Sequence, residues 1–153
     1  MKVLLDTTYL LPAVGISVKN LPEDAPLRLM QKGCQISISE ISLFELSAKG
    51  AKYVASGLLL AERVAKGIRA VTYDENVTAI RPYETKILLT AFDLRGLLSD
   101  FIDCLIVSSA LHECDALVTE DGDIHVLSKE KDFARVVRDL KPEFLIQRLA
   151  DAL

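Results

Sequence analysis

Five acidic residues carry the strongest chemical signal in this chain: Asp6, Glu45, Asp103, Asp121 and Asp123. Each stands at or just beyond the end of an apolar run, or on the first turns of a helix that follows one. Asp6 ends Val3-Leu4-Leu5, Glu45 lies on the helix after Ile36-Ser37-Ile38, and Asp121 follows Ala116-Leu117-Val118-Thr119. Short, wholly apolar runs read as buried parallel strands. Open α/β sheets bind their ligands beyond the carboxyl ends of such strands. Carboxylates gathered there repel one another, by about 4 kcal/mol for two charges about 4 Å apart at an effective dielectric of about 20. A cation relieves that repulsion. An all-oxygen donor set selects Mg²⁺ or Mn²⁺.

Each acid also has an ordinary structural reading. Asp6 precedes Thr7 and Thr8 and suits an N-cap of a short helix. Ser42-Leu43-Phe44-Glu45 matches a capping box in which Glu45 reaches back to the Ser42 amide. Ser39-Glu40 is an equally good helix start, which would leave Glu45 on the second turn. Asp121-Gly122-Asp123 is a turn sequence. Asp100 fits a helix cap or a first-turn acid that complements the macrodipole. Asp103 is harder to explain in this way. It sits between Ile102 and Leu105 on the most apolar helix, where a carboxylate must be paired, hydrogen-bonded or metal-bound.

The elements that would position these acids alternate between strand and helix. Strands are expected at residues 2–5, 35–39, 77–80 and 116–119. A short helix at 7–11 is stopped near Pro12 and Gly15, and a turn or two of helix at 27–32 is ended by Gly33. Residues 41–48 form a helix with Ile41, Phe44 and Ala48 at core spacing. Residues 52–73 are helical in composition, with interruptions expected at Gly57 and Gly67. Helices follow at 83–97 and 100–114, the second apolar most of the way round and therefore buried. Residues 122–132 read as irregular with a brief strand at 125–127. Residues 133–139 end in an edge strand, and Pro142 opens a last helix. The alternation implies right-handed crossovers and a single α/β domain over residues 1–153, with a central, mostly parallel sheet of four to five strands flanked by helices.

Composition supports a compact domain: 153 residues, half of them hydrophobic. With 18 basic and 22 acidic residues the net charge is -4, which offers no global electrostatic signature for nucleic acid. Only three apolar residues separate Lys2 from Asp6, too few for a signal peptide. No run approaches the roughly 18 apolar residues of a membrane span, so a cytoplasmic protein is expected. Cys34, Cys104 and Cys114 lack metal-type spacing and read as buried thiols in a reducing compartment. His112 and His125 have no partner at zinc spacing and read as structural or surface residues. Tyr9 reads as core.

Several segments together resemble the PIN-domain family over nearly the whole chain. They are Val3-Leu4-Leu5-Asp6-Thr7, Ile41-Ser42-Leu43-Phe44-Glu45-Leu46, the run from Asp103-Cys104-Leu105 to Ser108-Ser109-Ala110, and Leu117-Val118-Thr119-Glu120-Asp121. The interval from Asp103 to Asp121 is also similar to the family spacing. The resemblance implies a Mg²⁺- or Mn²⁺-dependent endoribonuclease and, among small members, a VapC-type toxin with an antitoxin protein as partner. Carried over, Asp6, Glu45, Asp103 and Asp121 are the catalytic, metal-binding quartet, and Asp123 is an auxiliary fifth acid. The hydroxyls of Thr7 and Thr119 orient carboxylates from behind, as does Asp100 beside Asp103. Lys49, Lys52, Lys86 and Arg95 are candidates to hold RNA. A homodimer is implied, with the helical stretch 57–61 read equally as its contact or as core. The chain departs from the family pattern at Ile124, where phenylalanine is frequent, across 122–132, and in the longer stretch 50–75.

Two other classes compete with this reading. A metal-dependent phosphatase would place a second aspartate two residues after the nucleophile, but that position is Thr8. A non-catalytic PIN-like binding module, or an RNA-processing factor acting with a partner protein, would carry the same acids without cleavage. Stabilisation by Mn²⁺ separates the binding module from a nuclease.

Overall fold

The computed structural model describes residues 1–153. Five strands form one sheet: β1 (Lys2–Leu5), β2 (Gln35–Ser39), β3 (Val77–Ile80), β4 (Ala116–Val118) and β5 (Leu145–Gln147). Their order is β3-β2-β1-β4-β5, and every pair is parallel. Such a sheet has helices on both faces, so its central strands carry no polar face. Val3, Leu4 and Leu5 are accordingly all fully buried. Leu4 packs toward α4 (Thr85–Leu94) and α5 (Phe101–Glu113), with Ile87, Leu94, Ile106 and Leu117. Val3 and Leu5 pack on the opposite face with Tyr9, Leu29 and Val118.

Helix α1 spans Ala25–Gln31, α2 spans Glu40–Ala55, α3 spans Ala61–Thr72, α6 spans Gly122–Leu127, α7 spans Lys131–Leu140 and α8 spans Leu149–Ala152. A 3₁₀ helix, Thr7–Val14, follows β1 and carries Pro12 inside it. It ends at Gly15, whose φ of 93° is open to glycine without strain. Helices α2 and α3 pack against it, with Leu10, Leu11, Val14, Leu46 and Val64 in one apolar cluster.

The structure corrects several sequence expectations. Helix α2 continues seven residues past Ala48, to Ala55, because Gly50 is a packing position and not a stop. A Cβ there would lie 2.4 Å from Val64 Cγ1. Phe44 is exposed and Ala48 is not core; Leu46 takes the buried position. The interruption at Gly57 is real, with φ 75°, whereas Gly67 lies inside α3. Residues 57–61 are largely a loop and not a helix, with Leu58 and Leu60 exposed. The segment 122–132 is not irregular: α6 occupies most of it, started by an Asp121 cap. Residues 133–139 are helical in α7, and the edge strand is β5, beyond Pro142. The proline opens no helix. Cys34 is only half-buried, while Cys104 and Cys114 are buried, and all three are free thiols. Burial pushes the latter two thiols up to about 11. No helix is long and apolar enough to cross a membrane.

Candidate metal centre

The site grows from β1 and β4, which are neighbours in the sheet. Asp6 follows the last residue of β1, and its N–H donates to Val118 O at 3.1 Å, extending the ladder by one residue. Its extended backbone starts the 3₁₀ helix. Oδ1 accepts from the Thr7 N–H at 2.6 Å and Oδ2 accepts from the Thr119 hydroxyl at 2.6 Å. Thr119, directly after β4, also accepts from the Asp121 N–H at 3.0 Å through that same hydroxyl. Its carbonyl takes a 2.8 Å bond from His125 Nε2, which fixes that ring nitrogen as the donor. Thr119 therefore holds two of the acids in one register.

Asp121 is the N-cap of α6. Its Oδ1 accepts from the N–H groups of Asp123 and Ile124 at 2.8 and 3.0 Å. The turn reading and the ligand reading coexist here, since Oδ2 has no protein partner. Glu45 sits on the second turn of α2. The helix is capped at Ser39, so the capping box with Ser42 does not form. Asp103 occupies the first turn of α5, and Asp100 is the cap of that helix, accepting from the Ile102 N–H at 2.8 Å.

Electrostatics ties these residues together. Burial raises Asp6 above the usual carboxylate range, opposed by its bonds to Thr119 and Thr7 and reinforced by the charges of Glu45 and Asp121. Asp103 is pushed up to about 7, by burial first and then by the charges of Asp100, Asp121, Asp6 and Glu45. Like charges produce such shifts only at short range. The charges of Glu45 and Asp121 reach Asp6, and those of Asp121, Asp6 and Glu45 reach Asp103, so the four acids are electrostatic neighbours. Of the four, Glu45 alone has an ion-pair partner, Lys49, at 3.7 Å.

The donors fit a hydrated divalent ion. They are all oxygens, and their mutual repulsion disfavours the set without a cation. No three of them are grouped closely enough to hold an ion directly as the side chains stand. Three fully buried hydroxyls nearby have no hydrogen-bond partner: Thr7, Ser39 and Ser42. Leu4 pairs with Ser37 across β1 and β2, so two residues on, Ser39 shares a sheet face with Asp6. Ser42 lies one turn before Glu45 on α2. Buried polar atoms left unpaired by protein are those that water satisfies.

Other expected site residues are placed differently. Asp123 is exposed, and its N–H, not its carboxylate, is engaged. Thr7 supports Asp6 through its N–H while its hydroxyl stays unpartnered. Lys86 pairs with Glu113 at the far end of α5, 10 residues from Asp103, or about 15 Å along the helix; it is not at the rim. Arg95 donates to Leu98 O at 3.2 Å, beside the start of α5.

Sequence reasoning did not find Glu120. Burial opposes its ionisation, but the Leu149 N–H, the Tyr9 hydroxyl and Arg148 outweigh it and hold the carboxyl below its usual range. These contacts, at 3.0, 2.8 and 2.8 Å, bolt the C-terminal segment and the 3₁₀ helix to the β4 edge. Only its place between Thr119 and Asp121 could have signalled it. Tyr9 is core, as expected, and its hydroxyl serves this bolt. His112 bonds Thr90 at 2.9 Å, a structural role as expected.

A pH dependence follows from Asp103. Its folded pKa lies above the unfolded value of 3.8, so its protonated form stabilises the fold at low pH. That contribution is lost as pH rises through about 7. In a chelator, Asp103→Asn is therefore expected to gain stability relative to wild type between pH 5 and pH 8. The gain is about 1–2 kcal/mol once water around a half-buried carboxylate is discounted. Paired melts at the two pH values measure it, and they cancel the opposing contribution of His112, whose pKa burial and Lys86 lower.

The chain is similar to known proteins in sequence pattern and in fold. The family model described as PIN domain matches residues 3–136. No curated protein matches the chain. Among solved structures, a chain of VapBC2 from Rickettsia felis, bound to a DNA fragment from its promoter, is similar in fold. The TM-score is 0.58 at 22% identity, covering 97% of this chain and 98% of that one. An all-parallel five-stranded sheet, acids at its carboxyl edge and a family match over most of the sequence lead to one conclusion: the chain belongs to the PIN-domain family.

Proposed function

We propose that this protein is a Mg²⁺- or Mn²⁺-dependent endoribonuclease. The observation that carries the reading is the placement of Asp6 and Asp121 beyond the ends of the neighbouring strands β1 and β4, both held by Thr119, with the charges of Glu45 and Asp121 reaching Asp6 and Asp103. These four would hold the ion, which when bound supplies a water of lowered pKa and stabilises charge on the scissile phosphate. The chain's own residues do the positioning. Thr119 and the Thr7 N–H fix the Asp6 carboxylate. The α6 cap leaves Asp121 Oδ2 free. The α5 dipole favours ionisation of Asp103 at its first turn, against burial and its neighbours.

The test is incubation of purified protein with RNA, with and without Mn²⁺, followed by sequencing of the ends. Cleavage only with the metal supports the reading; intact RNA under both conditions refutes it and favours a binding module. Thr119→Val keeps the side-chain shape but removes the bond to Asp6 and strands the Asp121 N–H. A loss of roughly 10–100-fold in Mn²⁺ affinity is expected, the usual size for a group supporting a ligand from behind. A calorimetric titration checks it.

A VapC-like toxin role with an antitoxin partner is the narrower form of this proposal. An open apolar groove of about 970 Å³ between α2 and α3, lined by Ala51, Val54, Val64, Ile68 and Tyr73, supports a protein partner. Exposed Leu58 and Leu60 extend the apolar surface in the loop between the same helices.

A further inference from the structure

We propose that Lys49 anchors a phosphate of the RNA substrate, and that its pairing with Glu45 is a resting arrangement which metal and RNA together replace. The inference rests on the ribonuclease reading above. Three of the four acids have no cationic partner, and Glu45 has one, so Lys49 is the cation already stationed at this site. Its side chain is 45% exposed while that of Glu45 is 19% exposed, so the lysine is the solvent-facing member of the pair. The pair spans 3.7 Å with i,i+4 spacing. Helical i,i+4 ion pairs at so long a separation contribute little to stability, so the partner is readily exchanged.

A divalent ion on Glu45 sets two cations side by side and removes the reason for the pair. A phosphate drawn to that ion then offers Lys49 a new anion within the sweep of its flexible stem. Two of the other basic candidates are already engaged. Lys86 is committed to Glu113 on the far side, and Arg95 to the Leu98 carbonyl.

The experiment compares wild type, Lys49→Ala and Lys49→Arg in two binding measurements. Calorimetry with Mn²⁺ alone is expected to show Lys49→Ala binding the metal as tightly as wild type or up to a few-fold tighter, because a competing cation is gone. Fluorescence anisotropy with a short single-stranded RNA, in Mn²⁺ over a salt series, is expected to show weaker binding. The slope of log affinity against log salt should be shallower by about 0.7, the value for one lost phosphate contact on a single strand. Lys49→Arg is expected to restore the slope, and in cleavage assays Lys49→Ala should raise KM more than it lowers kcat. Tighter Mn²⁺ binding with an unchanged salt slope would overturn the proposal, leaving Lys49 as a partner of Glu45 only. Loss of metal binding in Lys49→Ala would also overturn it, by making Lys49 a support of the ligand. Wild type that binds Mn²⁺ and RNA without cutting would defeat the ribonuclease reading, while the slope would still decide the anchor.

Discussion

Asp103→Asn is expected to abolish Mn²⁺-dependent RNA cleavage while leaving the fold intact. Asparagine keeps the volume and can accept a hydrogen bond, so packing at the first turn of α5 is preserved. It removes the negative charge that burial first, and then four neighbouring carboxylates, oppose. Loss of a direct ligand should exceed the roughly 10–100-fold penalty that follows from removing a supporting group. Cleavage assays on purified variant, with circular dichroism to verify folding, measure the effect. Unchanged cleavage by a folded variant would remove Asp103 from the chemistry.

The second large effect concerns the backbone that carries Asp6. Gly67→Ala is expected to destabilise the protein by about 1–3 kcal/mol, the range for overpacking a tight contact. A Cβ at Gly67 would lie 2.2 Å from Ala13 O and 2.8 Å from Ala13 C and Val14 Cα. All three are backbone atoms of the 3₁₀ helix, which cannot rotate aside. Alanine is favoured over glycine inside a helix by about 1 kcal/mol, and that gain is smaller than the clash. For a chain of this size about 2–4 °C is lost per kcal/mol. Because the 3₁₀ helix begins beside Asp6, Mn²⁺ affinity should fall as well. Gly96→Ala is the control, since its Cβ would meet nothing closer than Asp93 O at 3.6 Å. Equal melting temperatures for the two variants would show that α3 does not clamp the 3₁₀ helix.

What could be read from the sequence was local. The wholly apolar runs at 3–5 and 116–118 announced buried parallel strands, and the placement of Asp6 and Asp121 beyond them followed from strand direction alone. Asp103 stood out because a carboxylate on so apolar a helix needs a reason. What could not be read depended on tertiary contact. Gly50 and Gly67 look like helix breakers in sequence, yet each sits where another element approaches too closely for a side chain. The segment 122–127 resembles a loop because its helix is short and is specified mainly by the Asp121 cap. The bond from His125 to the Thr119 carbonyl and the Glu120 bolt join residues whose partners no periodicity reveals. Which of the basic candidates lies near the acids was also beyond the sequence: Lys86 pairs with Glu113 at the far end of α5.

Thermal unfolding of the protein in a chelator and then in saturating Mn²⁺ tests the metal centre most directly. An ion at about 100 times its Kd adds about 2.7 kcal/mol to the folded state, which corresponds to a rise of roughly 5–10 °C for a domain of this size. The rise should disappear in Asp103→Asn. A wild-type melting temperature that does not move with Mn²⁺ or Mg²⁺ would contradict the convergence of Asp6, Glu45, Asp103 and Asp121 on a bound cation.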